Sequence, residues 1–170
     1  GDVWYGGRTR NPWDLEQGSS GSSAGSAAAT VAGLVGFAIG SETLGSIVSP
    51  STRCGATGLR PTFGRVSRGG AMALSWSMDK LGPLCRTVED CALVLGAIHG
   101  ADGKDPTART IPFNWDAYKP LDEIRIGYLA EAFQDEEGRY HRFDVAALEA
   151  LRGLGVDPTP VSLPDAYPLG

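Results

Sequence analysis

The sequence predicts an α/β protein. Three observations carry that expectation: a run of small and apolar residues from Ser26 to Ile39, a capped helix announced by Thr87-Val-Glu-Asp90, and a strand, helix and strand in order between Ile124 and Val161. With 42% hydrophobic and 21% charged residues over 170 positions, the chain sits in the globular range, so its 24 glycines and 11 prolines point to tight backbone rather than to disorder or a collagen-like repeat.

From Ser26 to Ile39 apolar and small residues surround any helix drawn through them, which predicts a helix packed on every side. Gly33 and Gly36 each cost about 1 kcal/mol relative to alanine in such a helix, so their presence implies another backbone passing close by. Gly40 to Ser46 reads as a turn-rich link and Ile47 to Pro50 as a short extended piece. Thr87 can cap the amide three residues on, with Glu89 and Asp90 at the positive end of the dipole. Val88, Cys91, Ala92, Leu95 and Ile98 form the buried stripe of that helix, and Gly100 ends it. Residues 100–120 are polar with three prolines and read as a long surface connection. Ile124 to Leu129 predicts a strand, Phe143 to Leu154 an amphipathic helix, and Val161 opens a second strand. Such a unit is a parallel crossover, right-handed if both strands share a sheet. Trp13, Trp76, Tyr5 and Met78 are expected in the core, and His141 on a solvated face.

Charge and hydropathy exclude several classes. Fifteen basic and 20 acidic residues, with the basic ones scattered, suggest no nucleic-acid surface. The 25 residues from Gln17 to Ser41 carry no charge, but only Ala27 to Gly40 is mostly apolar, too short for a membrane span. Cys54, Cys85 and Cys91 form no C-x-x-C and have no histidine at metal spacing, so they suggest no metal site. They read as reduced core thiols, which favours a reducing compartment such as the cytoplasm.

Nine of the 13 serines fall between Ser19 and Ser51, and two sites among them compete for chemistry. Gly21-Ser-Ser-Ala-Gly25 fits G-x-S-x-G around Ser23, with Asp90 and His99 following in the order of an α/β-hydrolase triad. That elbow needs a buried strand running into the serine, and Asn11 to Ser20, with a proline and two acids, has no such pattern. His99, at the end of an apolar helix, fits a partner for the helix dipole.

The second site lies at Gly45-Ser46. Gly21-Ser-Ser-Ala-Gly-Ser26, the small-residue run, Gly40-Ser-Glu-Thr-Leu-Gly-Ser-Ile47, Pro50, Cys54-Gly55, Gly58-Leu-Arg-Pro-Thr-Phe-Gly-Arg-Val-Ser67 and Asp79-Lys-Leu-Gly-Pro83 together resemble the amidase signature family, from about Asn11 to Pro106. The resemblance implies a three-layer α/β/α fold around a mixed central sheet, only part of it present. The 170 residues would then be part of one domain, with a signature core over 11–106, a connecting loop over 107–120 and a strand-helix-strand unit over 121–170. It also implies hydrolysis of a carboxamide by a Ser, cis-Ser, Lys triad. Ser46 falls on the nucleophile and Ser22, 24 positions earlier, on the bridging serine, which would follow a cis bond from Gly21 with Ser23 in support. The oxyanion would be held by backbone amides of Thr43, Leu44, Gly45 and Ser46, with a small amide as partner molecule and no cofactor.

Departures from the family pattern are equally specific. The family's lysine lies N-terminal to the paired serines, whereas the three lysines here are Lys80, Lys104 and Lys119. Either a preceding segment carries it, or this polypeptide is a non-catalytic piece that wants the missing N-terminal segment or another chain, including a second copy. Lys80 as a substitute base is less expected than a structural lysine. Leu44 replaces a usual glycine, Val48 a usual arginine and Glu42 a common aspartate, leaving Glu42 in need of a partner, for which Arg53 is the candidate. Leu44 and Val48 favour a free-standing amidase over the alternative, the glutaminase component of a tRNA-dependent amidotransferase.

Overall fold

A computed structural model describes residues 1–134 and 137–163. The chain divides into two units, Gly1–Trp115 and Asp116–Gly170.

The first unit begins with two small antiparallel ribbons, β1 (Val3–Trp4) with β2 (Gly7–Arg8) and β3 (Arg10–Asn11) with β4 (Asp14–Gly18). Helix α1 (Ala24–Val31) follows, then β5 (Ala38–Glu42), α2 (Val48–Cys54), β6 (Thr57–Gly58), β7 (Lys80–Cys85) and α3 (Val88–Ile98). The sheet runs β5-β7-β6, antiparallel throughout, with Glu42 opposite Lys80 and Thr57 opposite Cys85. Ala27 of α1, Ile47, Cys54 of α2 and Leu84 of β7 are fully buried together and form the core beneath the sheet.

The helix expected over 26–39 is two elements. Gly33 has φ +74°, and no atom outside its chain neighbours lies within 4 Å of where a Cβ would stand, so it is present for the left-handed turn that ends α1 and not for close packing. Gly36 likewise has no close neighbour. Arg86 closes the turn by donating from Nη1 to the carbonyls of Thr30 at 3.1 Å and Val35 at 2.9 Å. The residues from Ala38 on are a strand because β7 offers them a ladder; a short apolar run carries no periodicity that separates the two outcomes.

Serines of α1 and its N-cap cover the outer edge of β5. Ser26 Oγ donates to the Ile39 carbonyl at 3.0 Å, while Ser23 Oγ both donates to the Ser41 carbonyl and accepts from its amide, each at 3.2 Å. This edge is therefore occupied rather than open for pairing. The approach is close enough that a Cβ on Gly40 would fall 2.6 Å from Ser23 Oγ and from Leu84 Cδ1.

Residues 48–50, expected to be extended, open α2. Proline is tolerated there because first-turn amides have no partner within the helix. Gly55, φ +72°, caps the other end. Helix α3 matches its expected signals: Thr87 Oγ1 accepts from the Asp90 amide at 3.1 Å, and Cys91, Ala92 and Leu95 are buried, although Val88 is exposed. The stretch after α3 is less free than its composition suggests. Asp105 is buried against Arg68, with Nε–Oδ2 at 2.9 Å, and Arg65 Nη2 donates to the Pro112 carbonyl at 2.8 Å.

In the second unit β8 (Gly127–Leu129) pairs in parallel with β9 (Thr159–Val161), joined through α4 (His141–Gly153). The crossover expected from the sequence is present, with Leu148 and Val156 buried. Pro164, beyond the second strand, lies outside the described residues.

Candidate active site

The loop between β5 and α2 is organised by one buried carboxylate. Glu42 Oε1 accepts from the Gly45 amide at 2.7 Å, and Oε2 from the amides of Ile47 at 2.6 Å and Val48 at 3.0 Å. Burial alone would raise its pKa, but the amides of Val48, Ile47 and Gly45, joined by Arg60 Nη1 at 3.3 Å, outweigh burial and hold the carboxyl below its ordinary value. Glu42 also supplies the negative charge at the start of α2 that its own N-cap, Ile47, lacks. Arg53 is not its partner: that guanidinium donates to Gln17 Oε1 at 3.0 Å.

Gly45 takes φ +88°, a conformation that favours glycine, and turns the chain so that the carboxylate meets these amides. Its amide, one of the four expected oxyanion donors, is thereby committed to Glu42. Those of Thr43, Leu44 and Ser46 have no acceptor among the described residues.

Thr43 is gripped from β7 and the residue before it. Its hydroxyl donates to Asp79 Oδ1, and its carbonyl accepts from Lys80 Nζ at 3.0 Å. Asp79 also accepts from the amides of Leu74 at 2.7 Å and Ser75 at 2.9 Å, and the Thr43 hydroxyl, ahead of those amides, holds its pKa below the usual carboxylate value. Lys80 Nζ is thereby placed on a backbone carbonyl of the loop.

The paired serines lie beside this loop. The Gly21–Ser22 peptide is cis, and the Ser23 amide donates to the Ser46 carbonyl at 3.0 Å. Ser20, φ +63°, places its hydroxyl 2.7 Å from that of Ser49 in α2. Two segments 24 residues apart in sequence are thus joined by their backbones and side chains. The hydroxyls of Ser22, exposed, and Ser46, half-buried, make no hydrogen bond among the described residues, to each other or elsewhere.

The competing elbow does not assemble. Ser23 spends its hydroxyl on β5, and the strand upstream, β4, is an exposed ribbon ending at Gly18. Asp90 and His99 stand in the first turn and at the C-cap of α3, about 13 Å apart along the helix axis.

A cavity of about 410 Å³ borders Ser41, Arg68, Met72, Trp76, Asp79 and Lys104 and does not touch Ser22 or Ser46. Ser22 lines a separate hollow with Gly1–Trp4 and Thr9. Trp76, which lines the 410 Å³ cavity, is exposed, as are Trp13, Tyr5 and Met78, so none of the four is in the core. Cys54, Cys85 and Cys91 are free and buried; burial and the neighbouring Cys85 push the Cys91 thiol up to about 12. Among the described residues no three metal-ligating side chains converge.

The family model described as Amidase matches residues 3–168. Over 171 aligned positions the chain is 45% identical to the A subunit of the glutamyl-tRNA(Gln) amidotransferase of Staphylococcus saprophyticus, covering 96% of this chain and 35% of that protein. The corresponding protein of Geobacillus kaustophilus is 47% identical over 92% of this chain and 33% of its own. Among solved structures, the native peptide amidase of Stenotrophomonas maltophilia matches with a TM-score of 0.78 at 43% identity, over 94% of this chain and 34% of that one. The A subunit of the glutamyl-tRNA(Gln) amidotransferase of Thermotoga maritima matches with a TM-score of 0.81 at 40% identity, over 91% and 35%. The chain spans about a third of the length of the relatives it matches.

Proposed function

We propose, from the premise that the chain belongs to the amidase family, that it supplies the serine half of an amide-hydrolysing site within a longer polypeptide. Ser46 is the nucleophile and Ser22 the relay, and a lysine outside these 170 residues is the base. The observation that carries this is the hydrogen bond from the Ser23 amide to the Ser46 carbonyl, which docks the Ser22 segment against the nucleophile loop.

The chemistry follows from the residue types. A serine hydroxyl attacks a carbonyl only as its proton leaves, so Ser46 Oγ passes its proton to Ser22 Oγ as Ser22 passes its own to the neutral lysine. The carbonyl π pair moves onto oxygen, where the amides of Thr43, Leu44 and Ser46 remain to receive it, at about 3 kcal/mol per donor. The ammonium returns its proton to the departing nitrogen, leaving an ester on Ser46 that water hydrolyses.

In the full-length protein, a fluorophosphonate probe is expected to label Ser46, and Ser46→Ala to abolish labelling and turnover. An adduct on Ser23 would instead restore the elbow. Ser22→Ala should leave the unfolding midpoint unchanged while slowing acylation at least about a hundredfold, the usual scale of lost general-base assistance. Unchanged turnover of a simple aryl amide would refute the relay.

A free-standing amidase is favoured by Leu44 in the nucleophile loop, which puts an exposed side chain beside the amide donors at a position where the family usually has glycine. The glutaminase component of an amidotransferase is the second reading, supported by relatives that carry the amidotransferase name. Comparing ammonia release from glutamine with that from aryl and peptide amides separates the two.

A further inference from the structure

We infer that Lys80 is a positioning residue for the oxyanion site, acting through the Thr43–Leu44 peptide. The inference rests on the proposed role of the loop amides and goes beyond it by naming a side chain that tunes one of them.

Lys80 opens β7 directly opposite Glu42, the last residue of β5, so the ladder delivers its side chain to the start of the nucleophile loop. Half-buried there, its ammonium has one hydrogen-bond partner among the described residues, the Thr43 carbonyl at 3.0 Å, and no carboxylate within ion-pair distance. A cation placed on a carbonyl has a directional consequence. The Thr43 oxygen and the Leu44 N–H belong to one peptide unit, and in a trans unit they point in opposite directions. Fixing the oxygen on Lys80 therefore fixes the N–H on the far side, where the Leu44 amide has no acceptor among the described residues.

The same bond polarises the peptide. A charge-assisted bond to the oxygen draws electron density from the nitrogen, so the N–H becomes a stronger donor toward an accumulating negative charge. Asp79 removes the remaining freedom by holding the Thr43 side chain, so the residue cannot rotate its carbonyl away. Glu42 meanwhile occupies the Gly45 amide, which leaves the Leu44 amide among the few that can serve. Lys80 touches neither substrate nor reacting atoms; it aims and charges the group that does.

The test is made in the full-length enzyme with Lys80→Arg, Lys80→Gln and Lys80→Met. Turnover of an aryl amide is measured beside inhibition by the corresponding aldehyde, which forms a tetrahedral adduct. Lys80→Met is expected to lower kcat about 10- to 30-fold, less than the roughly hundredfold or greater loss from deleting an oxyanion donor, with KM changed less than about twofold. Aldehyde affinity should fall in parallel with kcat/KM. Lys80→Arg, which keeps charge and donors, should recover most of the rate, and Lys80→Gln, a neutral donor, should lie between. A kcat unchanged in Lys80→Met, or a loss confined to KM, overturns the inference, as does an Arg variant no better than Met. If Lys80→Met lowers the unfolding midpoint, the Arg and Gln pair alone decides it: equal kcat values would exclude a role for the charge. Fluorophosphonate labelling of the wild type separates this from the site assignment. A wild type labelled at Ser46 with indifferent Lys80 variants refutes Lys80 alone, whereas an unlabelled wild type refutes both.

Discussion

Glu42 and Asp105 carry opposite lessons about single residues. Glu42 was visible as a departure from a family pattern, yet its partners were not legible, because three of them are backbone amides that no side-chain code announces. Replacing it with alanine leaves those donors without their acceptor and is expected to cost about 3 kcal/mol, read from denaturant midpoints of the full-length protein. Asp105 lay in a stretch that composition marks as surface, yet it is buried, and the Arg68 guanidinium, then Thr107, hold its carboxyl well below the usual carboxylate range. A folded pKa below the unfolded one means that the unfolded chain binds the proton more readily. The stability Asp105 contributes is therefore complete above the ordinary carboxylate pKa and is lost as pH falls through that value toward the folded one. Asp105→Asn should cost about 3 kcal/mol at neutral pH, as for breaking a buried pair, and progressively less in acid. The gap between the unfolding midpoints of wild type and variant should be the same at pH 7 and 5 and should narrow progressively below the ordinary carboxylate value, from pH 3.5 to 2.5; a gap constant down to pH 2.5 would exclude the ion pair as the cause. The roles proposed for Ser22 and Ser46, by contrast, rest on motif spacing, which is a property of sequence.

At the scale of elements, capping chemistry was legible and the fate of the small apolar run was not. Thr87 and its acids mark the start of α3 because the cap is local, a threonine reaching an amide three residues on. The run from Ser26 to Ile39 divides into α1 and β5 for a reason that is not local: β7, some 40 residues later, supplies the ladder, and Arg86 closes the turn between them. Its two glycines consequently have different meanings. Gly33 adopts φ +74°, so Gly33→Ala should destabilise by about 1 kcal/mol even though nothing crowds its Cβ. Gly36 has neither a positive φ nor a close neighbour, so Gly36→Ala should be neutral or stabilise by up to about 0.5 kcal/mol through the unfolded chain. Thermal midpoints of the two variants moving in the same direction would refute the assignment of the helix end to Gly33.

On the scale of the whole chain, the expectation that large apolar side chains would be interior fails in a patterned way. Within the first unit Leu34 is 78% exposed, Met72 98% and Trp76 80%, with Val35, Phe37 and Leu74 beside them in sequence and also exposed. These cluster in two stretches, the turn after α1 and the segment before β7, while Ala27, Ile47, Cys54 and Leu84 beneath the sheet are sealed. Scattered apolar residues on a surface are ordinary, but runs of them are covered in a protein that stays dispersed in water. No sequence pattern distinguishes an apolar residue buried by its own unit from one buried by something else, which is why Trp76 and Met78 read as core. The 170 residues produced alone are therefore expected to bind a hydrophobic dye such as ANS strongly and to elute as concentration-dependent oligomers. Leu34→Ser, Met72→Ser and Trp76→Ser combined should reduce both effects without altering the circular dichroism that reports α1, α3 and the sheet. A dye-silent monomer at high concentration would show that these two stretches fold back on the unit and need no cover.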